Sequence, residues 1–285
     1  MLVFGRHQFA AHFRWFIAAL FLTMGAILSY VIAAMQSGEL PGGGSSLGLV
    51  LGTAGALIIG FEMLLWPRKR FVQARTWPLI RTKHWMKAHI WLGFLCVPLA
   101  VLHSGFRFGG PLATTLMVVL GIVILSGLIG LILQAWIPRR MLELVPDEVP
   151  INETDRVLAF HVAEFERRLA IDQGKLGGPE TVGIDDVVAY YHSEAKPYLL
   201  GQKSHEELTS PARAAARLAV LQARIPAASH PRMQEMFTLC DLRRQFQTQA
   251  RLHWWLHHWV WIHLPFSVAL VGLLIAHIYV ALRYI

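Results

Sequence analysis

The chain has 285 residues, 55% of them hydrophobic and only 15% charged, with a positive mean hydropathy. That composition argues against a soluble globular domain and for a membrane. The net charge of +8 does not call for nucleic acid, because seven basic residues (Arg68, Lys69, Arg70, Arg75, Arg81, Lys83, Lys87) crowd into one segment between two apolar runs. In a membrane protein that bias marks a cytoplasmic loop.

A helix needs about 20 apolar residues to cross a bilayer core of roughly 30 Å. Five segments fit: 15–35, 47–66, 88–104, 112–137 and 260–282. The first is longer than the apolar region of a signal peptide and a second span follows at once, so it reads as a retained helix. The link 36–46 is Gly/Ser-rich with one charge, Glu39, and is expected outside. The basic link 67–87 is expected inside, and 105–111 forms a short outer turn with Arg107. The N-terminus and the segment after the fourth span are then cytoplasmic, and the C-terminus lies outside.

The expected fold is all-α. Residues 1–137 hold the first four transmembrane helices, 138–255 form a helical extramembrane insertion, and 256–285 hold the fifth transmembrane helix. The insertion is charged and opens on Pro138, Pro146 and Pro150. Beyond them Leu158, His161, Val162, Phe165 and Leu169 recur at three- and four-residue intervals, an amphipathic stripe. The runs 214–221 and 233–247 also read as helices. No G-x-G-x-x-G turn or Walker loop occurs in it, which argues against a nucleotide or flavin site there.

Within the spans the ionisable side chains are Glu62 and four histidines: His89 and His103 on the third span, His263 and His277 on the fifth. Each pair is 14 residues apart. At 100° per residue the two side chains of a pair lie about 40° apart around the axis, on one face, and about 21 Å apart along it. Both spans run from inside to outside, so His89 is expected opposite His263 and His103 opposite His277. A lone histidine near an interface is more often a hydrogen-bonded or snorkelling residue. Two equally spaced pairs on parallel helices fit axial ligation of two haems, with neutral imidazole limiting the cost in lipid.

This pattern, thirteen residues between two histidines on each of two helices, resembles the di-haem cytochrome b arrangement of quinol–cytochrome c reductases and of ferric reductase and NADPH oxidase membrane domains. The resemblance covers the helical core, and placement on the third and fifth helices is closer to the latter group. It implies two haems b, with His89 and His263 holding the inner one and His103 and His277 the outer. It also implies an electron-transfer subunit of a respiratory complex in the bacterial cytoplasmic membrane. Such a subunit works between the quinone pool and redox partners such as a c-type cytochrome, an iron–sulfur protein or a flavoprotein. Cys96 and Cys240 make no C-x-x-C-H site, so haem is held by coordination alone. A ferric or oxygen reductase module fed by a separate dehydrogenase, and a haem-free transporter or scaffold, are the alternatives.

Arg14, Lys83, Lys87 and Arg107 are placed to meet haem propionates, and singly each also reads as an interfacial anchor. His84, His253, His257 and His258 lie among Trp85, Trp254, Trp255, Trp259 and Trp261 at the inner ends of the two ligand helices. They are candidates for a quinone or proton site or a third haem, although an aromatic belt with polar histidines is the simpler account. Glu62 is a candidate proton acceptor for quinol chemistry, or a carboxylate that snorkels. Glycines in the spans could admit a flat macrocycle or serve helix packing. Pro98 and Pro265 are expected to kink the ligand helices. His161, His192, His205 and His230 have no metal-ligand spacing and read as surface residues.

Overall fold

A computed structural model describes residues 6–65, 82–146, 148–174, 182–202 and 206–284, and among them the regular structure is entirely helical. The chain begins with α1 (Arg6–Ser37), α2 (Ser46–Met63), α3 (Thr82–His103) and α4 (Pro111–Leu144). There follow α5 (Thr154–Gly174), α6 (Ile184–Tyr190), a π-helical turn (Tyr191–Ala195), α7 (Lys196–Leu199), α8 (Glu206–Thr209) and α9 (Pro211–Gln222). The long α10 (His230–His258) leads to α11 (Val260–Tyr284). Five helical stretches are long and apolar enough to cross a membrane, the last ending in α11, which makes the chain compatible with an integral membrane protein. Most of the basic link, with Arg68, Lys69, Arg70, Arg75 and Arg81, lies outside the described residues, as does His205.

Contacts divide the chain into two compact units, Met1–Trp136 with Leu256–Ile285, and Ile137–Trp255. In the first, large apolar side chains point outward: Phe21, Leu57 and Leu282 are 72%, 71% and 74% exposed. A soluble bundle would hide them, whereas lipid accepts them. Both α1 and α2 pack along α3, through Ala26, Tyr30, Leu51, Leu95, Leu99 and Leu102. A second apolar layer joins Ile59 of α2, Cys96 of α3, Val119 and Leu120 of α4 and Leu270 of α11. Ser45 caps α2 by accepting a hydrogen bond from the Gly48 amide at 3.1 Å, and Pro111 occupies the first turn of α4, where its missing N–H costs nothing. Gly105 has φ +62, and a Cβ there would come within 2.7 Å of the Pro41 carbonyl, so the turn after α3 can press on the loop before α2 only with glycine at this position.

The second unit has a conventional core. Four of the five stripe residues of α5 (Leu158, Val162, Phe165, Leu169) are buried, together with Tyr191 of the π-helical turn and Met233, Met236 and Cys240 of α10. His161 is exposed and stands beside the stripe, not in it. Over the core runs a chain of ion pairs, Glu164–Arg168 (3.0 Å), Arg168–Glu235 (2.9 Å), Glu235–Arg232 (2.8 Å) and Arg232–Asp172 (2.5 Å), which joins α5 to α10. Pro138 does not open an irregular stretch: α4 continues through it to Leu144. Likewise α3 and α11 continue through Pro98 and Pro265.

Candidate functional site

The four span histidines come together in two couples. The His89 and His263 rings have centroids 6.4 Å apart and those of His103 and His277 6.2 Å, with interplanar angles of 76° and 89°. His89 meets the earlier histidine of α11 and His103 the later one, so α3 and α11 run in the same direction. Fourteen residues of helix put the couples about 21 Å apart. Cys96 and Leu270 are the seventh residues along from His89 and His263, and both belong to the apolar layer joining four helices. The unit thus alternates: a histidine couple, an apolar layer, a histidine couple. α3 packs closely on α1 and α2, and less closely on α11.

Each ring is steered by its neighbours. His103 Nδ1 lies 2.7 Å from the Gly48 carbonyl, which can only accept, so Nδ1 carries the proton. His263 Nδ1 lies 3.1 Å from Ser126 Oγ, whose own proton goes to the Val123 carbonyl at 3.0 Å, so the hydroxyl accepts from the ring. His89 Nδ1 contacts Oε2 of Glu62. His103 and His263 therefore spend Nδ1–H on a hydrogen-bond acceptor, which leaves Nε2 as a lone-pair donor, and His89 turns its Nδ1 to a carboxylate in an ion-pair contact. For His277 the described residues supply no hydrogen-bond partner.

Small residues let the rings approach the helices. A Cβ at Gly52 would sit 2.5 Å from His103 Nδ1, one at Gly127 would be 3.3 Å from His263 Cε1, and one at Gly130 would strike Trp259 at 2.5 Å. Gly43 also approaches His103, with its Cβ position 3.3 Å from Cε1. Nothing lies within 4 Å of a Cβ at Gly93, one turn from His89 on the same helix face, so bare backbone flanks that ring. Gly25, Gly60, Gly121 and Gly272 are likewise without close neighbours among the described residues.

The other candidates are placed differently. Glu62 is half-buried against His89, and its Oε1 has no hydrogen-bond partner among the described residues. Arg14, Lys83 and Arg107 are exposed and Lys87 is half-buried. His84 and His257 are exposed, His258 stacks on Trp261 with centroids 6.2 Å apart, and His253 lies 3.6 Å from Glu148. His192 is exposed. His230 is not simply on the surface: its Nε2 reaches the Gln222 and Ile225 carbonyls at 2.9 and 3.0 Å and ties α9 to α10. Sequence reasoning missed Ser126, Gly48 and His12. His12 is 3% exposed on α1 and accepts a hydrogen bond from Trp91 at 3.3 Å. Gly48 with Gly52 forms a small-x-x-x-small face, and Ser126 is a polar residue within an apolar span, signals that could have flagged both.

Among the described residues no group of three or more His, Cys, Asp or Glu side chains is arranged to hold a metal ion. A haem iron asks less of the protein, because the porphyrin fills four positions and leaves two axial ones. An imidazole nitrogen binds a transition metal at about 2.0 Å and lies about 1.1 Å from its ring centre, so two axial imidazoles have centres about 6.2 Å apart. The observed 6.4 and 6.2 Å match that span. Compared with known proteins, the chain matches no family model, no curated protein and no solved structure.

Proposed function

We propose that this chain is a membrane di-haem cytochrome b that passes electrons across the bilayer. It works between the quinone pool on one side and a redox partner (a c-type cytochrome, iron–sulfur protein or flavoprotein) on the other. Two imidazole couples at the separation of axial ligands, stacked along parallel helices, carry this reading. His89 with His263, and His103 with His277, would each hold one haem b between them. Bound haem supplies reversible one-electron exchange between ferric and ferrous iron. The protein's part is to present Nε2 by engaging Nδ1, to admit the ring edges over Gly52 and Gly127, and to keep water from the gap with the Cys96–Leu270 layer. Arg14, Lys83, Lys87 and Arg107 are the cations available to haem carboxylates at the two membrane surfaces. By the bias of its basic link, the N-terminus and 138–255 face the cytoplasm of a bacterial inner membrane.

The test is a reduced-minus-oxidised spectrum of the purified protein with a pyridine haemochrome count after acid–acetone extraction. The expected result is two extractable haems b per chain, and a count near zero would refute the reading.

A further inference from the structure

The groups behind the imidazoles are not alike, and the difference has a direction. His89 is backed by a carboxylate, His263 by a hydroxyl and His103 by a peptide carbonyl; for His277 the described residues supply no partner. An acceptor at Nδ1 raises the basicity of Nε2, and a carboxylate does so more than a neutral oxygen. More electron density on the axial nitrogen favours the ferric over the ferrous iron. Glu62 lies within a span, half-buried, with Oε2 on His89 and Oε1 unpartnered, so little solvent intervenes to weaken its action on that ring. Taken with Ser126 behind His263, the His89/His263 couple has both rings backed, whereas in the other couple only His103 is.

We infer that Glu62 is a positioning residue that makes the His89/His263 couple the low-potential end of the electron path, so that electrons run from this couple to His103/His277. The inference rests on the haem reading above and adds to it an order for the two centres and a direction. With haem bound, the iron that His89 and His263 would hold would give up one electron and the iron that His103 and His277 would hold would gain it, with no proton or further reactant taking part. Glu62 is thereby assigned to the histidine and not to a quinol: its reach is to an axial ligand, and Oε1 remains as a second acceptor on the same ring's side.

The experiment is a potentiometric titration of the whole purified protein, with dithionite as reductant and haem counted in each sample. In the unmodified protein two one-electron midpoints are expected, and the lower one should survive in His103→Ala. If the surviving centre is instead the one of higher potential, the assigned order is overturned, and this holds whether or not any Glu62 variant folds. Glu62→Gln keeps an acceptor and removes the carboxylate. It should keep two haems and favour the ferrous state of the lower-potential centre about tenfold, a rise of about 59 mV for one electron, leaving the other midpoint in place. Two haems with unmoved midpoints, or a shift confined to the other centre, would overturn the role of Glu62 while leaving the haem reading standing. No haem in the unmodified protein removes that reading and this inference together.

Discussion

In the membrane unit Phe21, Leu57 and Leu282 look outward while four histidines and Glu62 look inward; in 137–255 Phe165 and Met236 are buried and the charges lie outside. Sixteen of the 18 acidic residues fall in 137–255, and the other two are Glu39 and Glu62. Both units are all-helical, so secondary structure does not separate them; the solvent each sequence is patterned for does. In water, a helix earns stability by hiding its apolar stripe, as α5 does with Leu158, Val162, Phe165 and Leu169. Lipid gives no such reward, and close approach at small residues with polar contacts between helices takes over, as at Gly52, Gly48, Gly127 and Ser126. The ionisable groups within the spans are correspondingly few, and His89, His103 and His263 each meet a polar neighbour.

The sharpest way to break that contrast is to remove a ligand. His103→Ala should abolish one haem of two and spare the one held by His89 and His263, because the couples are about 21 Å apart along the helices. The 137–255 core should be untouched, which limited proteolysis of that segment would check. Loss of both haems, or of the His89 centre alone, would refute two independent couples. The converse substitution is Phe165→Ala. Phe165 is 1% exposed in the 137–255 core, and truncating a buried phenylalanine costs about 3–5 kcal/mol. That segment should become protease-sensitive at a lower temperature while both haems stay bound. Haem lost in step with the segment would mean that the two units stand or fall together.

The couples were legible because helix period and rise are fixed: fourteen residues bring His89 and His103 to one face, and the single span between them makes α3 parallel to α11. The amphipathic stripe of α5 was legible for the same reason, apart from His161, whose place in a three-and-four rhythm says nothing about which flank of the stripe it occupies. What lay beyond the sequence was lateral. Glu62 sits on a different span from His89, and Ser126 is 137 residues from His263, so no spacing rule joins them. The glycines divided on the same ground: Gly52 and Gly127 meet an imidazole, whereas Gly60 and Gly121 meet nothing, and composition cannot tell them apart. Pro138 stands where the fourth span is expected to give way to the insertion, yet α4 absorbs it and runs on to Leu144, although an interior proline removes a hydrogen bond.

The smallest expected effect separates the units by pH. Glu164 of α5 donates nothing to the core; it accepts hydrogen bonds first from Arg167 and then from Arg168, and these hold its carboxyl down at about 2, against an ordinary 4.5. A carboxyl depressed by folding stabilises the fold at pH above its unfolded value and loses that contribution as pH falls toward the folded one. The window is therefore from about 4.5 down to about 2. Water screens the group, so the effect is modest, but it is local: Arg168 also holds Glu235 on α10. Hydrogen exchange of the α5 amides should quicken across that window in the unmodified protein and change less in Glu164→Gln, with the midpoints of the membrane unit indifferent to the substitution. Equal pH dependence in both proteins would mean that the Glu164 cluster contributes nothing to holding α5 on α10, and that the buried stripe alone does so.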